Sequence, residues 1–116
     1  MKNYGWIAVD LIGVDLDGTL AEYHGWKNDA EIGKPITLMV NRVKNWLKQG
    51  LMVKIFTARI SVDAGKEETI KQIKAWCKQH IGQELEVTNV KDFTMMELWD
   101  DRARQVEKNT GKYIGD

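Results

Sequence analysis

The sequence is poor in cysteine and has no excess of charge of either sign. Cys77 is the only cysteine, so no internal disulfide can form, and cysteine pairing does not indicate the redox compartment. Seventeen basic residues balance 17 acidic ones, which excludes a global field that would attract nucleic acid or a membrane surface, although a local basic patch stays open. Neither cysteine content nor net charge indicates a function, so the evidence for function has to come from local motifs.

Long apolar runs are also missing. No run approaches the roughly 20 residues that a membrane span requires. The apolar stretch near the N-terminus is interrupted by Asp10 and Asp15, so it does not have the pattern of a signal peptide. We therefore expect a cytoplasmic protein with no membrane partner.

Linkers, internal repeats and low-complexity segments are absent as well. The 116 residues suffice for one hydrophobic core and are too few for two. The content of 43% hydrophobic and 29% charged residues is ordinary for a soluble globular protein. We predict a single domain over residues 1–116, in which the mixed stretch 21–34, with Gly25 and Gly33, forms a small flap.

Hydrophobic patterning predicts strands that alternate with helices. Runs rich in valine and isoleucine indicate buried strands, and apolar residues at helical spacing indicate helices. Pro35, the single proline, is expected to open the first helix and Gly50 to end it. A second helix is expected over 66–80, with Gly82 as its stop. The strands are predicted at 7–15, 51–56, 84–88 and 96–99, and a further short one in the tail 105–114.

The alternation of strands and helices predicts the fold class. It favours right-handed crossovers and a parallel sheet, so we expect a three-layer α/β fold with helices on both faces of the sheet. Ligands of such a sheet bind beyond the carboxyl ends of its strands. The chemically reactive residues of the sequence all fall at that edge: Asp15 and Asp17, Thr57, and Asp100 and Asp101.

An acidic pair follows the first predicted strand. Asp15 and Asp17 stand at i and i+2, so both carboxylates can face one ligand. Two unit charges about 4 Å apart repel by about 4 kcal/mol at an effective dielectric near 20, and Asp100 and Asp101 add to this repulsion. Such a cluster requires a bound cation or protonated carboxyls, and oxygen ligands suit Mg²⁺. The alternative is a plain turn, in which the side chains cap backbone N–H groups.

Four motifs, in order along the chain, carry a resemblance to a known family. They are "DLDGT" at 15–19, "IFTAR" at 55–59, Lys91 in "TNVKDF", and "WDDRA" at 99–103. Together they resemble the motifs of the haloacid dehalogenase-like (HAD) superfamily of phosphohydrolases. The chain is similar in particular to short bacterial and phage-encoded members with "FTAR" and "DDRA" signatures. The resemblance implies a HAD-like, Rossmann-like core.

The resemblance also implies an activity. It points to a Mg²⁺-dependent phosphatase that hydrolyses phosphate monoesters through an aspartyl-phosphate. Asp15 would be the nucleophile and Asp17 the general acid and base. Thr57 would hold phosphoryl oxygens, and Lys91 would neutralise the carboxylate–phosphate pair.

The ligand set follows from the same resemblance. Mg²⁺ would be held by Asp15, the carbonyl of Asp17 and Asp100, with Asp101 as a second ligand or outer support. The substrate-binding residues would be Gly18, Thr19, Ala58 and Arg59.

The chain departs from most members of that family in having no room for a cap domain. Only the flap at 21–34, or residues 59–66, would be left to cover the site. The substrate therefore stays open between a phosphorylated small molecule and a phosphorylated nucleic-acid end, and a homo-oligomer would be another source of a lid. A phospho-acceptor signalling module and a non-catalytic phosphate-binding module are the alternative functions.

Several side chains near the motifs have two interpretations. His24 and Trp26 either pack the flap down or touch a substrate. Arg59 and Arg102 either bind a second anionic group or pair with Asp101 or Glu97. Cys77 lies on the apolar face of its helix, which predicts a core residue.

Overall fold

A four-stranded parallel sheet forms the centre of the fold. The computed structural model describes residues 3–4, 7–8, 11–25 and 31–115. The elements in chain order are β1 (Asn3–Tyr4), β2 (Ile7–Ala8), β3 (Leu11–Val14), α1 (Thr37–Lys48), β4 (Met52–Phe56), a 3₁₀ turn (Ala58–Ile60), α2 (Lys66–His80), β5 (Glu86–Thr88), β6 (Met95–Trp99), β7 (Gln105–Val106) and β8 (Tyr113–Ile114). The central sheet has the order β5-β4-β3-β6, and β1-β2 and β7-β8 are antiparallel pairs.

The register of the sheet places the most apolar side chains on one face. Ile12 lies opposite Val53, and Val14 lies opposite Ile55. Both helices contribute their buried side chains to the core cluster that contains these four residues. From α1 these are Met39, Val40 and Val43, and from α2 they are Ile73, Trp76 and Cys77. Fully burying a side chain of this size stabilises the fold by roughly 1.5–3 kcal/mol.

The opposite face of the sheet has no helix among the described residues. It carries Met52, which is exposed, and Lys54, which pairs with Glu86 at 3.3 Å. Residues 89–94 connect β5 to β6 across the sheet, and this is less than two turns of helix. At the end of this connection Met95 packs over Gly13, where a Cβ would lie 2.7 Å from the sulfur. The α/β class and the parallel sheet are confirmed, whereas helices cover one face and not both.

The predicted element bounds are close to the observed ones. The helix at 66–80 is confirmed, and Gly50 and Gly82 follow their helices with positive φ angles of 84° and 107°. Pro35 lies outside α1, because it forms a bridge with Ala21 and Ile36 is the extended residue before the helix. The long first strand is divided, since Ile7–Ala8 pairs with β1 and not with the central sheet.

The predicted flap consists of two arms joined at their base. Ala21 bridges Pro35, and the Glu22 amide donates to the Lys34 carbonyl at 2.8 Å. Gly33 sits so close to the Glu22 carbonyl that a Cβ could not be accommodated. Trp26 and the rest of 26–30, as well as Asp10, lie outside the described residues.

Neither helix within the described ranges has the length and apolar character to cross a membrane.

Candidate active site

The acidic residues of the motifs meet at the carboxyl edge of the sheet. Asp15 follows β3, and its amide donates to the Trp99 carbonyl of β6 at 2.9 Å. Asp100 and Asp101 follow β6 directly. Thr57 follows β4, and its amide donates to the Thr88 carbonyl of β5 at 2.9 Å. The carboxyl ends of all four parallel strands therefore lie at the same edge of the sheet.

A tight turn separates the polar side chains of the first motif from its apolar ones. The Leu16 carbonyl accepts from the amides of Leu20 and Ala21 at 3.0 and 2.9 Å. Leu16 and Leu20 are fully buried in the core. Asp15, Asp17 and Thr19 alternate with them and make their hydrogen bonds in the site. The alternation of "DLDGTL" thus anchors the turn and presents its polar groups.

Gly18 is required by its conformation and by its neighbour. Its φ is +89°, a value that L side chains rarely adopt. A Cβ there would also lie 2.6 Å from an Asp101 carboxylate oxygen. The turn after β3 and the acidic pair after β6 are therefore packed together at Gly18.

Three carboxylates form a cluster in which each could offer one oxygen to a cation. Ligand oxygens of Asp15, Asp100 and Asp101 all lie within 4.8 Å of one another. The buried Thr19 hydroxyl lies between two of them, 3.3 Å from Asp15 Oδ2 and 3.1 Å from Asp101 Oδ1. It also accepts a hydrogen bond from the Asp101 amide at 2.9 Å. Thr19 therefore holds the two acidic segments together, in addition to the substrate contact predicted for it.

The carboxyl of Asp15 is the most perturbed acid of the site. Burial raises its pKa to about 7, and the Asp101 hydrogen bond and the charges of Asp100 and Asp101 act in the same direction. The Thr19 hydroxyl has the opposite, smaller effect. Like charges and partial burial thus disfavour ionised Asp15 unless a cation offsets them. This is the electrostatic condition of a cation site with hard oxygen donors.

Asp17 does not join this cluster but forms an ion pair with Arg59. Arg59 Nε donates to Asp17 Oδ2 at 2.7 Å, and one terminal nitrogen donates to Oδ1 at 2.8 Å. The arginine side chain is 6% exposed and the aspartate 19%. The predicted pairing of Arg59 with Asp101 or Glu97 is therefore replaced by a bidentate pair within the site.

Thr57 is buried beside this pair. Its hydroxyl oxygen accepts from the Arg59 amide at 3.1 Å, which caps the 3₁₀ turn that begins at the exposed Ala58. The remaining residue of the predicted site is Lys91. It is exposed in the β5–β6 connection, and in the described part of the chain it forms no ion pair with the carboxylates.

Cys77 takes no part in the site. It is fully buried in the core, as predicted, and burial raises the pKa of its thiol to about 12. The thiol therefore stays protonated near neutral pH and is not a nucleophile.

A cavity of about 780 Å³ lies between the flap and α2. Trp76 ties the two walls together, because its indole Nε1 donates to the Gly33 carbonyl at 3.0 Å. His24 lines the cavity and pairs with Glu22 at 3.3 Å. The α2 wall could not be predicted from the sequence, because its polar residues are dispersed along an amphipathic helix. These residues are Gln72, Gln79 and His80.

Comparison with known proteins supports the assignment of the fold. No family model and no curated protein matches the chain. A solved structure of a conserved protein from Bacteroides thetaiotaomicron matches with a TM-score of 0.57 and 22% identity, over 80% of this chain and 76% of that one. The chain is therefore similar to that protein in its α/β fold, a parallel sheet flanked by helices that is compatible with a Rossmann-like architecture.

Proposed function

We propose that the protein is a Mg²⁺-dependent phosphomonoesterase of the HAD type. The observation that supports this most is the convergence of Asp15, Asp100 and Asp101 within 4.8 Å, with Asp17 beside them. These residues come from the two motifs of the sequence that most resemble the family. The order of the motifs supports an esterase over a phospho-acceptor module, in which an acidic pair would come first.

The donor set fits a divalent cation. Asp15 and Asp100 would hold Mg²⁺ with the carbonyl of Asp17, and Asp101 would be a further ligand or support the others. The pKa of Asp15 is raised because, without a cation, burial and the neighbouring carboxylates destabilise its ionised form. When bound, Mg²⁺ supplies positive charge that offsets the charges of the nucleophile and the phosphoryl group.

The two aspartates of the first motif have different environments, and we assign them different roles. A carboxylate oxygen of Asp15 attacks phosphorus, and the bond from phosphorus to the leaving oxygen breaks as Asp17 gives that oxygen a proton. For this step Asp17 has to carry a proton, so one of its two contacts with Arg59 has to open when substrate binds. Water then attacks phosphorus and returns a proton to Asp17. The bond between phosphorus and Asp15 breaks, which releases inorganic phosphate.

Polar groups around the nucleophile would bind the phosphoryl oxygens. The Thr57 hydroxyl accepts from the Arg59 amide, and a hydroxyl that accepts one hydrogen bond can still donate its own proton to a phosphoryl oxygen. The turn at Gly18 and the start of the 3₁₀ turn at Ala58 lie at the same edge of the sheet. Lys91 stays proposed as a neutralising cation that approaches when substrate binds.

Hydrolysis of p-nitrophenyl phosphate tests this function. We expect turnover that requires Mg²⁺, that stops with EDTA and that is lost in Asp15→Asn. The matched control is Glu84→Gln, which changes an exposed acid at the opposite edge of the sheet. Full activity of a folded Asp15→Asn variant would refute the proposal. Stable phosphorylation of Asp15 without phosphate release would instead favour the signalling module.

A further inference from the structure

We propose that the cavity between the flap and α2 binds the nucleoside of a nucleoside monophosphate. This inference rests on the proposed function, because it assigns the leaving group of the same reaction. The cavity-lining residues that carry the argument are His24, Arg59, Gln72, Trp76, Gln79 and His80.

The cavity adjoins the proposed site of chemistry through Arg59. This side chain lines the cavity and also donates both hydrogen bonds to Asp17, the proposed acid for the leaving oxygen. The backbone makes the same connection, because Asp17 bridges Ala21 and Ala21 bridges Pro35, a lining residue at the base of the flap. A leaving group whose oxygen faces Asp17 is thereby directed into the cavity.

The α2 wall places two aromatic rings between two amides. Trp76 and His80 form a tilted ring pair with centroids 4.8 Å apart, in which His80 is half-buried and Trp76 is buried and hydrogen-bonded to the Gly33 carbonyl. Gln72 and Gln79 lie on the same side of the helix, and both are exposed. An amide carries donors and an acceptor, so two amides beside aromatic rings fit a planar ring with donors and acceptors at its edge. A nucleobase has this chemistry.

The described lining residues of the flap carry charges of both signs. Glu22 pairs with His24, and the lining also contains Glu31 and Lys34. The other cation of the lining, Arg59, is occupied by Asp17. The cavity therefore favours an uncharged polar group over a second phosphate or a carboxylate.

The size of the cavity favours one nucleoside over a longer chain. About 780 Å³ lies within the 300–1,000 Å³ range that is typical of small-molecule sites. A simple sugar would leave the aromatic surface and the amides without partners. A nucleic-acid end would have to continue past the flap, and its further nucleotides would gain nothing from this cavity.

Kinetics on a substrate series tests the assignment. We expect kcat/KM at least tenfold higher for nucleoside monophosphates than for hexose phosphates. Ala75→Phe, which places a ring on an exposed lining position, should lower kcat/KM for nucleoside monophosphates at least tenfold and leave acetyl phosphate, whose leaving group is too small to fill the cavity, within twofold. The matched control is Lys78→Phe, which adds the same ring to α2 outside the lining. Equal effects of the two variants on nucleoside monophosphates would overturn the proposal.

Binding of unphosphorylated nucleosides provides a readout that does not depend on turnover. Saturation-transfer NMR of the wild-type protein with adenosine, guanosine, cytidine and uridine should show binding of at least one. The double variant Gln72→Ala/Gln79→Ala should weaken it at least fivefold, whereas Gln83→Ala, an exposed glutamine beyond α2, should not. Binding without phosphatase activity would refute the proposed function and keep the cavity assignment. Phosphatase activity without nucleoside binding, or clear preference for 5′-phosphorylated oligonucleotides over mononucleotides, would refute the cavity assignment alone.

Discussion

Arg59 forms a bidentate ion pair with Asp17, with N–O distances of 2.7 and 2.8 Å, and both side chains are largely buried. The two residues come from different motifs and are 42 positions apart. The pair engages both carboxylate oxygens of Asp17, which is not one of the three clustered carboxylates. It also fixes the loop after β4, because Arg59 donates its amide to Thr57.

Loss of the arginine should lower stability. In Arg59→Ala the Asp17 carboxylate loses two charge-assisted hydrogen bonds, and we expect a loss of about 2–3 kcal/mol in the free energy of unfolding. Arg59→Lys should recover only part of it, since an ammonium cannot form the bidentate contact. Urea denaturation measures both, with the exposed Arg102→Ala as control. An Arg59→Ala variant as stable as that control would show that the pair contributes nothing.

The leaving group should decide how much Asp17 contributes. Asp17→Asn removes the proposed proton donor, so we expect a loss of about 10²–10⁴-fold on alkyl phosphates. The loss on p-nitrophenyl phosphate should be much smaller, because its leaving group needs little protonation. Steady-state kinetics on the two substrates compares them directly. Equal losses on both would assign Asp17 a structural role only.

The cluster around Asp15 should make stability depend on pH and on Mg²⁺. The pKa of this carboxyl is raised in the folded protein to about 7, above the ordinary value of about 3.9. The stability that it contributes is therefore present below about pH 3.9 and is lost as the pH rises through about 7. Relative to Asp15→Asn, the wild type in EDTA should lose stability between about pH 4 and 7.

Addition of Mg²⁺ should reverse this loss. At pH 8 the cation should raise the melting temperature of the wild type more than at pH 5, and more than that of Asp15→Asn, because it binds the ionised cluster. Thermal denaturation with EDTA and with Mg²⁺ gives both comparisons. Parallel pH profiles of wild type and variant, unaffected by Mg²⁺, would contradict the cation site.

The two acids after β6 should differ in their effect on the metal. Asp100→Asn should weaken Mg²⁺ more than Asp101→Asn, because the first acid after the strand is the proposed direct ligand. Asp101 is already engaged with Thr19 and packed against Gly18, which suits a supporting role. Calorimetric titration of both variants with Mg²⁺ ranks them. The opposite order would exchange the two assignments.

Lys91 should matter more than Lys66. Lys66 is the first residue of α2, where a cation opposes the helix dipole, whereas Lys91 lies in the connection before the last strand of the site. We expect Lys91→Ala to lower kcat/KM more than Lys66→Ala. Similar losses in both variants, or a larger loss at Lys66, would remove Lys91 from the site.

The sequence by itself determined the features that depend on near neighbours along the chain. Helical periodicity is set by residues three and four apart, so α2 and the buried Cys77 could be predicted. The turn "DLDGT" is equally local, since the Leu16 carbonyl accepts from residues four and five positions away. The placement of Asp15, Asp100 and Asp101 at one edge followed from the general geometry of parallel sheets.

Only the tertiary structure decided which side chains meet across elements. The contact of Thr19 with Asp101 spans 82 positions, and that of Arg59 with Asp17 spans 42, so both depend on strand register and on the path of the flap. The absence of a helix from the second face, as far as the described residues extend, was decided in the same way, because residues 89–94 connect β5 to β6 with no room for a helix. A sequence pattern indicates whether each residue favours an apolar, polar or charged environment. Which of several acidic partners a buried arginine finds is fixed by packing, because only one arrangement of the elements buries the core of both helices and satisfies the charges.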